Sequence, residues 1–208
     1  SGSMYKYEGL GSIYWHMVSK LLLAAQESHQ QALDEKADTA VTDALAAAYY
    51  DIRQGLGFNK SPAEYGAFPT DPYSHTPMGG GARQPGMTGQ VKEEILTRWG
   101  ELGVSIVDGV LQFSPALLRP EEFLPLSSDF TYVDVLGETK TVSLPPDSLA
   151  FTYCQIPVIY TRGGDVKIQV TFAGGRSLVQ NEKRLDAATS QKIFARDGQV
   201  QLVQVSVV

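Results

Sequence analysis

Near Gly103 the hydrophobic period of this chain changes, and nothing else in the sequence restricts its fold as much. Before that point apolar residues recur at helical spacing. After it they alternate, or gather in β-branched and aromatic clusters. Periods of 3.6 and 2 present different surfaces for burial, so a chain carrying them in series folds into segregated helical and sheet parts. The expectation is an α+β chain. A helical part spans residues 4–103 and contains a long loop over 55–88; an antiparallel β-rich part, sheet or sandwich, spans 104–208. Ser1-Gly2-Ser3 ahead of Met4 reads as an expression remnant and is set aside.

Three helices are expected. The first covers Ser12 to about Glu35 and is apolar on more than one face through "IYWHMVSKLLLAAQ", so it needs partners on most sides. The second covers Asp38 to Gln54, with a stripe of Val41, Leu45, Ala48 and Ile52, and Gly55 and Gly57 stop it. The third runs from Gly89 to about Leu102 with a stripe of Val91, Ile95, Trp99 and Leu102, and Gly103 follows as a C′ residue. Three helices do not close a bundle around so apolar a first member. Further helices from an upstream segment or another chain would do so, as would a shallow helical layer on the sheet. Between Gly55 and Thr88 lie seven glycines, five prolines and no periodicity. Structureless loops longer than about 12–15 residues are uncommon in compact domains and are usually functional or disordered. Tyr65, Phe68 and Tyr73 argue for an ordered loop over a site, because disordered linkers are poor in aromatics.

Beyond Gly103, six to eight strands are expected, in "VSIVDGVLQFSP", "DFTYVDVL", "TKTVSL", "SLAFTYCQIPVIYT", "VKIQVTFA" and "VQLVQVSVV". Gly137-Glu138 and Gly163-Gly164-Asp165 read as hairpin turns. Cys154, the only cysteine, excludes an internal disulfide and reads as a buried thiol within an apolar strand. A lone thiol fits a reducing cytoplasm.

The 208 residues are 43% hydrophobic, enough for one large or two small cores, yet no apolar run reaches the roughly 18 residues of a membrane span. The formal charge of −6 and scattered basic residues argue against a nucleic-acid partner, since phosphate binding needs clustered Lys and Arg. Walker, GxGxxG, HExxH, GxSxG and CxxC motifs do not occur. No metal site, cofactor or nucleophile is assigned.

Several residues carry candidate chemistry, each beside a plainer role. Thr88 and Gly89 open a helix whose first N–H groups and partial positive charge suit an anion, though Thr88 also serves as a simple N-cap. His16, early in the first helix, is either a ligand contact or a satisfied core histidine. His75, in the glycine-rich loop, is either functional or on the surface, and His29 reads as solvent-facing. Asp71, with Glu64 and Glu8, offers carboxylates, and a glycosidase needs two of them about 5–9.5 Å apart. Asp71-Pro72 also opens turns. Trp15, Tyr14, Tyr65, Phe68 and Tyr73 offer faces that stack on sugars or pack in a core. "RPEEF" and "NEKRLD" read as solvated charge clusters.

The order of "YEGLGSIYWHMVSKLLLAAQE", "FPTDPYSH" and "PGMTGQVKEEILTRWGELGVSIVDGVLQFSP" resembles the C-terminal end of the inverting glycoside phosphorylases of the cellobiose and chitobiose phosphorylase group, over about residues 7 to 120. The resemblance implies the last helices of an (α/α)₆ barrel followed by a small β domain. It implies that His16, Thr88 and Gly89 help bind inorganic phosphate, a co-substrate rather than a cofactor. Trp15, Tyr65, Phe68, Tyr73 and His75 are then candidate sugar contacts, and Asp71 stands roughly where related hydrolases place a second carboxylate. The family's general-acid Asp lies upstream of anything in this chain, so the expectation is a fragment that is inactive alone, with an oligosaccharide as ligand. The upstream barrel segment or a homo-oligomer would be its partner. The alternatives are a stand-alone, non-catalytic glycan-binding or assembly module, or a structural dimer.

Overall fold

Helix-forming sequence comes first and strand-forming sequence second, and the elements follow that order. The structure, a computed structural model, describes residues 15–56 and 88–207, and the chain divides into two units, Ser1–Gly100 and Glu101–Val208. The class is α+β, with helices preceding a mostly antiparallel β region.

In the first unit, α1 spans Trp15–Asp34, α2 spans Thr39–Gly55 and α3 begins at Thr88, ending at Glu101 where the second unit starts. Four residues connect α1 to α2, which returns the chain alongside α1. The charge of Asp43 on α2 acts on His29 of α1, and the two residues lie at similar distances from that connection, as an antiparallel hairpin requires. The buried face of α2 differs from the expected stripe. Val41 is 47% exposed and Ala48 is also exposed, whereas Tyr49 is fully buried and sets its ring edge-on to Tyr50 at 5.2 Å. An aromatic ring buries more apolar area than two small residues, so Tyr49 sets the rotation of the helix.

In the second unit, β1 (Val104–Val107) and β2 (Val110–Phe113) form a hairpin, as do β3 (Ser128–Val133) and β4 (Thr139–Leu144). β5 (Ser148–Tyr153), β6 (Ile156–Arg162), β7 (Lys167–Phe172), β8 (Ser177–Gln180) and β9 (Val200–Val207) make one sheet in the order β5-β6-β9-β7-β8. A helix, α4 (Ala187–Ala195), precedes β9. Tyr160 anchors this unit: it is fully buried, donates its hydroxyl to the Leu102 carbonyl at 2.5 Å, and meets Phe113 and Phe151 edge-on at 6.1 and 5.3 Å. Burial in this apolar setting pushes its phenol pKa well up, so it stays a donor.

Several expectations for this half need correction. The described strands number nine, because two of the six apolar runs fold back on themselves and β8, Ser177–Gln180, lies in none of those runs. "VSIVDGVLQF" turns at Asp108-Gly109, with φ of 52° and 75°, the positive pair that a two-residue hairpin needs. "SLAFTYCQIPVIYT" turns at Cys154-Gln155, with φ of 51° and 63°. Cys154 therefore sits in a turn and is only partly buried, with burial pushing its thiol pKa up. Neither residue favours positive φ, so the turn had no sequence signature. Gly163 and Gly164 do turn the chain, but β6 and β7 are not paired there; β9 enters between them, parallel to β6 and antiparallel to β7. Finally, "NEKRLD" is more than a charge cluster. Asp186 caps α4, accepting from the Thr189 N–H and hydroxyl at 2.7 Å each and from Gln180 at 3.0 Å.

Candidate functional site

The first unit places polar residues on the inner faces of its helices. On α1 the buried stripe is Ser19, Leu22, Gln26 and His29, at spacings of three, four and three, while Met17 and Leu21 are 52% and 56% exposed. On α3, Glu93, Thr97 and Glu101 are buried at a spacing of four, and Ile95 and Leu96 are 53% and 41% exposed. The apolar stripe expected for α3 is thus turned outward at Ile95. His29 is 4% exposed rather than solvent-facing, and its burial lowers its pKa against the opposing charge of Asp43. Sequence reasoning missed it because neighbouring Gln and Glu were read as its environment, whereas its spacing from Leu22 and Gln26 assigns it to the buried stripe.

Two contacts fix how α1 and α3 run. The Lys20 ammonium reaches the buried Glu93 carboxylate at 3.4 Å. Six residues further along α1, the Gln26 amide lies over Gly100, seven residues beyond Glu93; a Cβ on Gly100 would fall 2.2 Å from its Cδ. Both contacts advance in the same direction, so α1 and α3 lie side by side and parallel. The same register sets Trp15 and His16 level with Thr88 and Gly89, at one end of the pair. Neighbouring helices pack roughly 8–10 Å apart. Trp15 of α1 and Thr88 of α3 therefore lie at the same end of this helix pair, whose peptide dipoles are aligned.

The side chains of Trp15, His16, Thr88 and Gly89, and all of Tyr65, Phe68, Asp71, Tyr73 and His75, lie outside the described residues, as do Tyr14, Glu8 and Glu64. Among the described residues no group of three or more His, Cys, Asp or Glu could hold a metal, and no helix is long and apolar enough to cross a membrane.

The second unit contains a cleft of about 380 Å³, formed by the β3–β4 hairpin, the β5–β6 turn and the approach to β9. Tyr132 and Lys140 face each other across the hairpin, and the Tyr132 ring stacks beside Phe130 at 5.9 Å and 14°. Asp134 organises the hairpin turn: its Oδ1 accepts from the Leu136 and Glu138 N–H groups at 2.9 and 3.0 Å. Its carbonyl accepts from Gln155 Nε2 at 3.1 Å, which ties this turn to the β5–β6 turn. Lys140 donates to Glu138 and lies 3.9 Å from Asp134 Oδ2. Burial first, then the Asp134 charge, push the Tyr132 phenol pKa up. The sequence marked none of these residues, because they come from three separated segments.

Compared with models of known protein families the chain matches none, and no curated protein matches it either.

Proposed function

We propose that this chain is the closing part of a carbohydrate-active (α/α)₆-barrel enzyme resembling the inverting glycoside phosphorylases, and that it supplies the anion side of a sugar-binding cleft. The observation that carries this reading is the parallel pair α1 and α3 with the antiparallel α2 between them in sequence. An (α/α)₆ barrel repeats that inner–outer–inner order, its inner helices parallel and starting at one end. Polar stripes buried between α1 and α3, with Met17, Leu21, Ile95 and Leu96 turned outward, suit two members of a larger ring whose other helices cover those apolar residues.

In such an enzyme, inversion needs an acid to protonate the leaving oxygen and a nucleophile on the opposite face of the sugar. His16, Thr88 and Gly89 hold that nucleophile, inorganic phosphate, through paired helix starts. Trp15 and the loop residues Tyr65, Phe68, Tyr73 and His75 line the sugar subsites. Asp71 is the one carboxylate considered for a hydrolytic variant. The acid comes from the upstream helices, so the isolated chain turns over nothing. The enzyme is cytoplasmic, which the single, partly buried thiol of Cys154 suits.

The test is a phosphate titration followed through backbone amide resonances. Shifts that saturate together at Thr88, Gly89, Trp15 and His16 support the reading. Shifts at one helix start only, or at neither, refute it, as does phosphorolysis by the pure chain. A second reading, an assembly module, is favoured by the same exposed residues, which a second copy of the chain would also cover. Light scattering that shows a dimer dissociated by Leu21→Gln and Ile95→Gln favours that reading.

A further inference from the structure

The cleft of the second unit has no part in the phosphate reading, and its chemistry is of a different kind. Its lining carries one carboxylate, Asp134, and one ammonium, Lys140, with Glu138 bonded to that ammonium from the turn. No excess positive charge is available, so a phosphate or carboxylate ligand gains nothing there. The polar lining otherwise offers two neutral groups that both donate and accept, the exposed Gln201 amide and the Tyr132 hydroxyl, while the Gln155 amide bonds the Asp134 carbonyl and the Thr141 hydroxyl pairs with Thr131. Beside them the Tyr132 ring and the exposed Leu136 present apolar surface, backed by the buried Ile156, Pro157 and Val200. A ligand that matches has hydroxyls around its rim and C–H faces in its middle, which describes a pyranose ring. The volume of about 380 Å³ falls within the usual range for small-molecule sites, roughly 300–1,000 Å³.

The cleft is also preformed. Asp134 takes two backbone N–H bonds and receives the Gln155 amide, so its two turns hold each other. Gly198 closes one end, where an added Cβ would sit 3.7 Å from Val135 Cγ2. A wall fixed before binding loses little entropy when a ligand arrives.

The geometry points to a second, non-catalytic site in the β unit, one that takes a neutral saccharide with Tyr132 as its platform and Asp134, Lys140 and Gln201 as rim contacts. It holds a glycan apart from any chemistry at the helix starts, and it does not depend on that reading.

Amide resonances of the full chain titrated with cellobiose, maltose and xylobiose test it. The expected result is saturable shifts at Tyr132, Asp134, Gln155 and Gln201 for at least one sugar, with a Kd on the order of 1 mM. Tyr132→Ala should weaken that binding about tenfold or more. Gln201→Ala, at an exposed position that the fold does not need, should weaken it several-fold with the rest of the spectrum unchanged. No shift in the cleft with any of the three sugars overturns the proposal, and so does undiminished binding by both variants. Sugar shifts confined to residues of the first unit overturn it too, while leaving the phosphate reading intact.

Discussion

At single residues the strongest structural commitments are backbone ones. Gly103 ends α3 with φ of 65°, and a Cβ there would lie 2.1 Å from the Ser114 carbonyl carbon, in a place where Ser114 N–H also donates to the Gly103 carbonyl at 2.8 Å. Both the positive φ and the backbone collision oppose a side chain. Gly103→Ala should cost about 2 kcal/mol or more and lower the melting temperature by about 10 °C. Gly109→Ala, at φ of 75° but with open space around it, should cost about 1 kcal/mol. Thermal unfolding of the two variants separates strain from collision. His29 gives a pH signature. Its folded pKa lies below the ordinary 6.5, so the unfolded chain binds the extra proton. Its contribution is therefore fully present above about pH 6.5 and is lost as pH falls through the window below that value. In denaturant titrations between about pH 5 and 7.5, His29→Gln should flatten this slope. Gly103 was legible from its place after an apolar stripe. His29 was not, because three positions of helical register outweighed the character of its neighbours.

Elements whose local signals agree with one another were readable, and those decided by a distant partner were not. The three helices stood out through their period, and α2 and α3 begin close to Asp38 and at Thr88. The rotation of each about its axis was set by what packs against it: Tyr49 on α2, and the polar seam with α1 on α3. β9 reads as a strand from its alternation alone, but nothing in "VQLVQVSVV" says that it inserts between β6 and β7. α4 was missed although its N-cap signal is present in "LDAATSQ", because the preceding charges were read as solvated. The cap makes a testable claim. Burial raises the Asp186 pKa, but hydrogen bonds from Thr189 and the helix start outweigh it and hold the carboxyl below its ordinary value. The stabilisation is thus present above the unfolded pKa of about 4 and is lost as pH falls through the folded one. Asp186→Ala should cost about 1–2 kcal/mol at neutral pH and less in acid, measured by chemical denaturation at both. The two candidate sites divide in the same way: the start of α3 at Thr88 was visible in the sequence, whereas the cleft joins a hairpin, a turn lacking Gly or Asn and the approach to β9.

Across the whole molecule, the two units differ in how their apolar residues are disposed. The second unit buries Leu111, Phe113, Tyr160, Ile168, Leu185 and Ile193 at 1% exposure or less. The first buries Ser19, Gln26, His29, Glu93 and Thr97 while Met17, Leu21, Ile95 and Leu96 stand in solvent. Its buried apolar residues, among those described, are Leu22, Ala32, Tyr49 and Leu56; a helical layer with so few of them and with aliphatic residues outside gains little from folding alone, since burial contributes about 25 cal/mol for each Å² of apolar surface removed from water. That imbalance predicts how the chain behaves with and without further helices. Alone, it should bind a hydrophobic dye such as ANS. The Leu21→Gln, Ile95→Gln and Leu96→Gln triple variant should lose most of that signal, while each substitution alters unfolding stability by no more than about 0.5 kcal/mol. In a longer protein that carries the upstream barrel helices, the same three changes should instead cost about 1–3 kcal/mol apiece, because each then removes a buried aliphatic group. Equal effects in the two settings would mean that no further helices cover this face, and the barrel reading would fall with it.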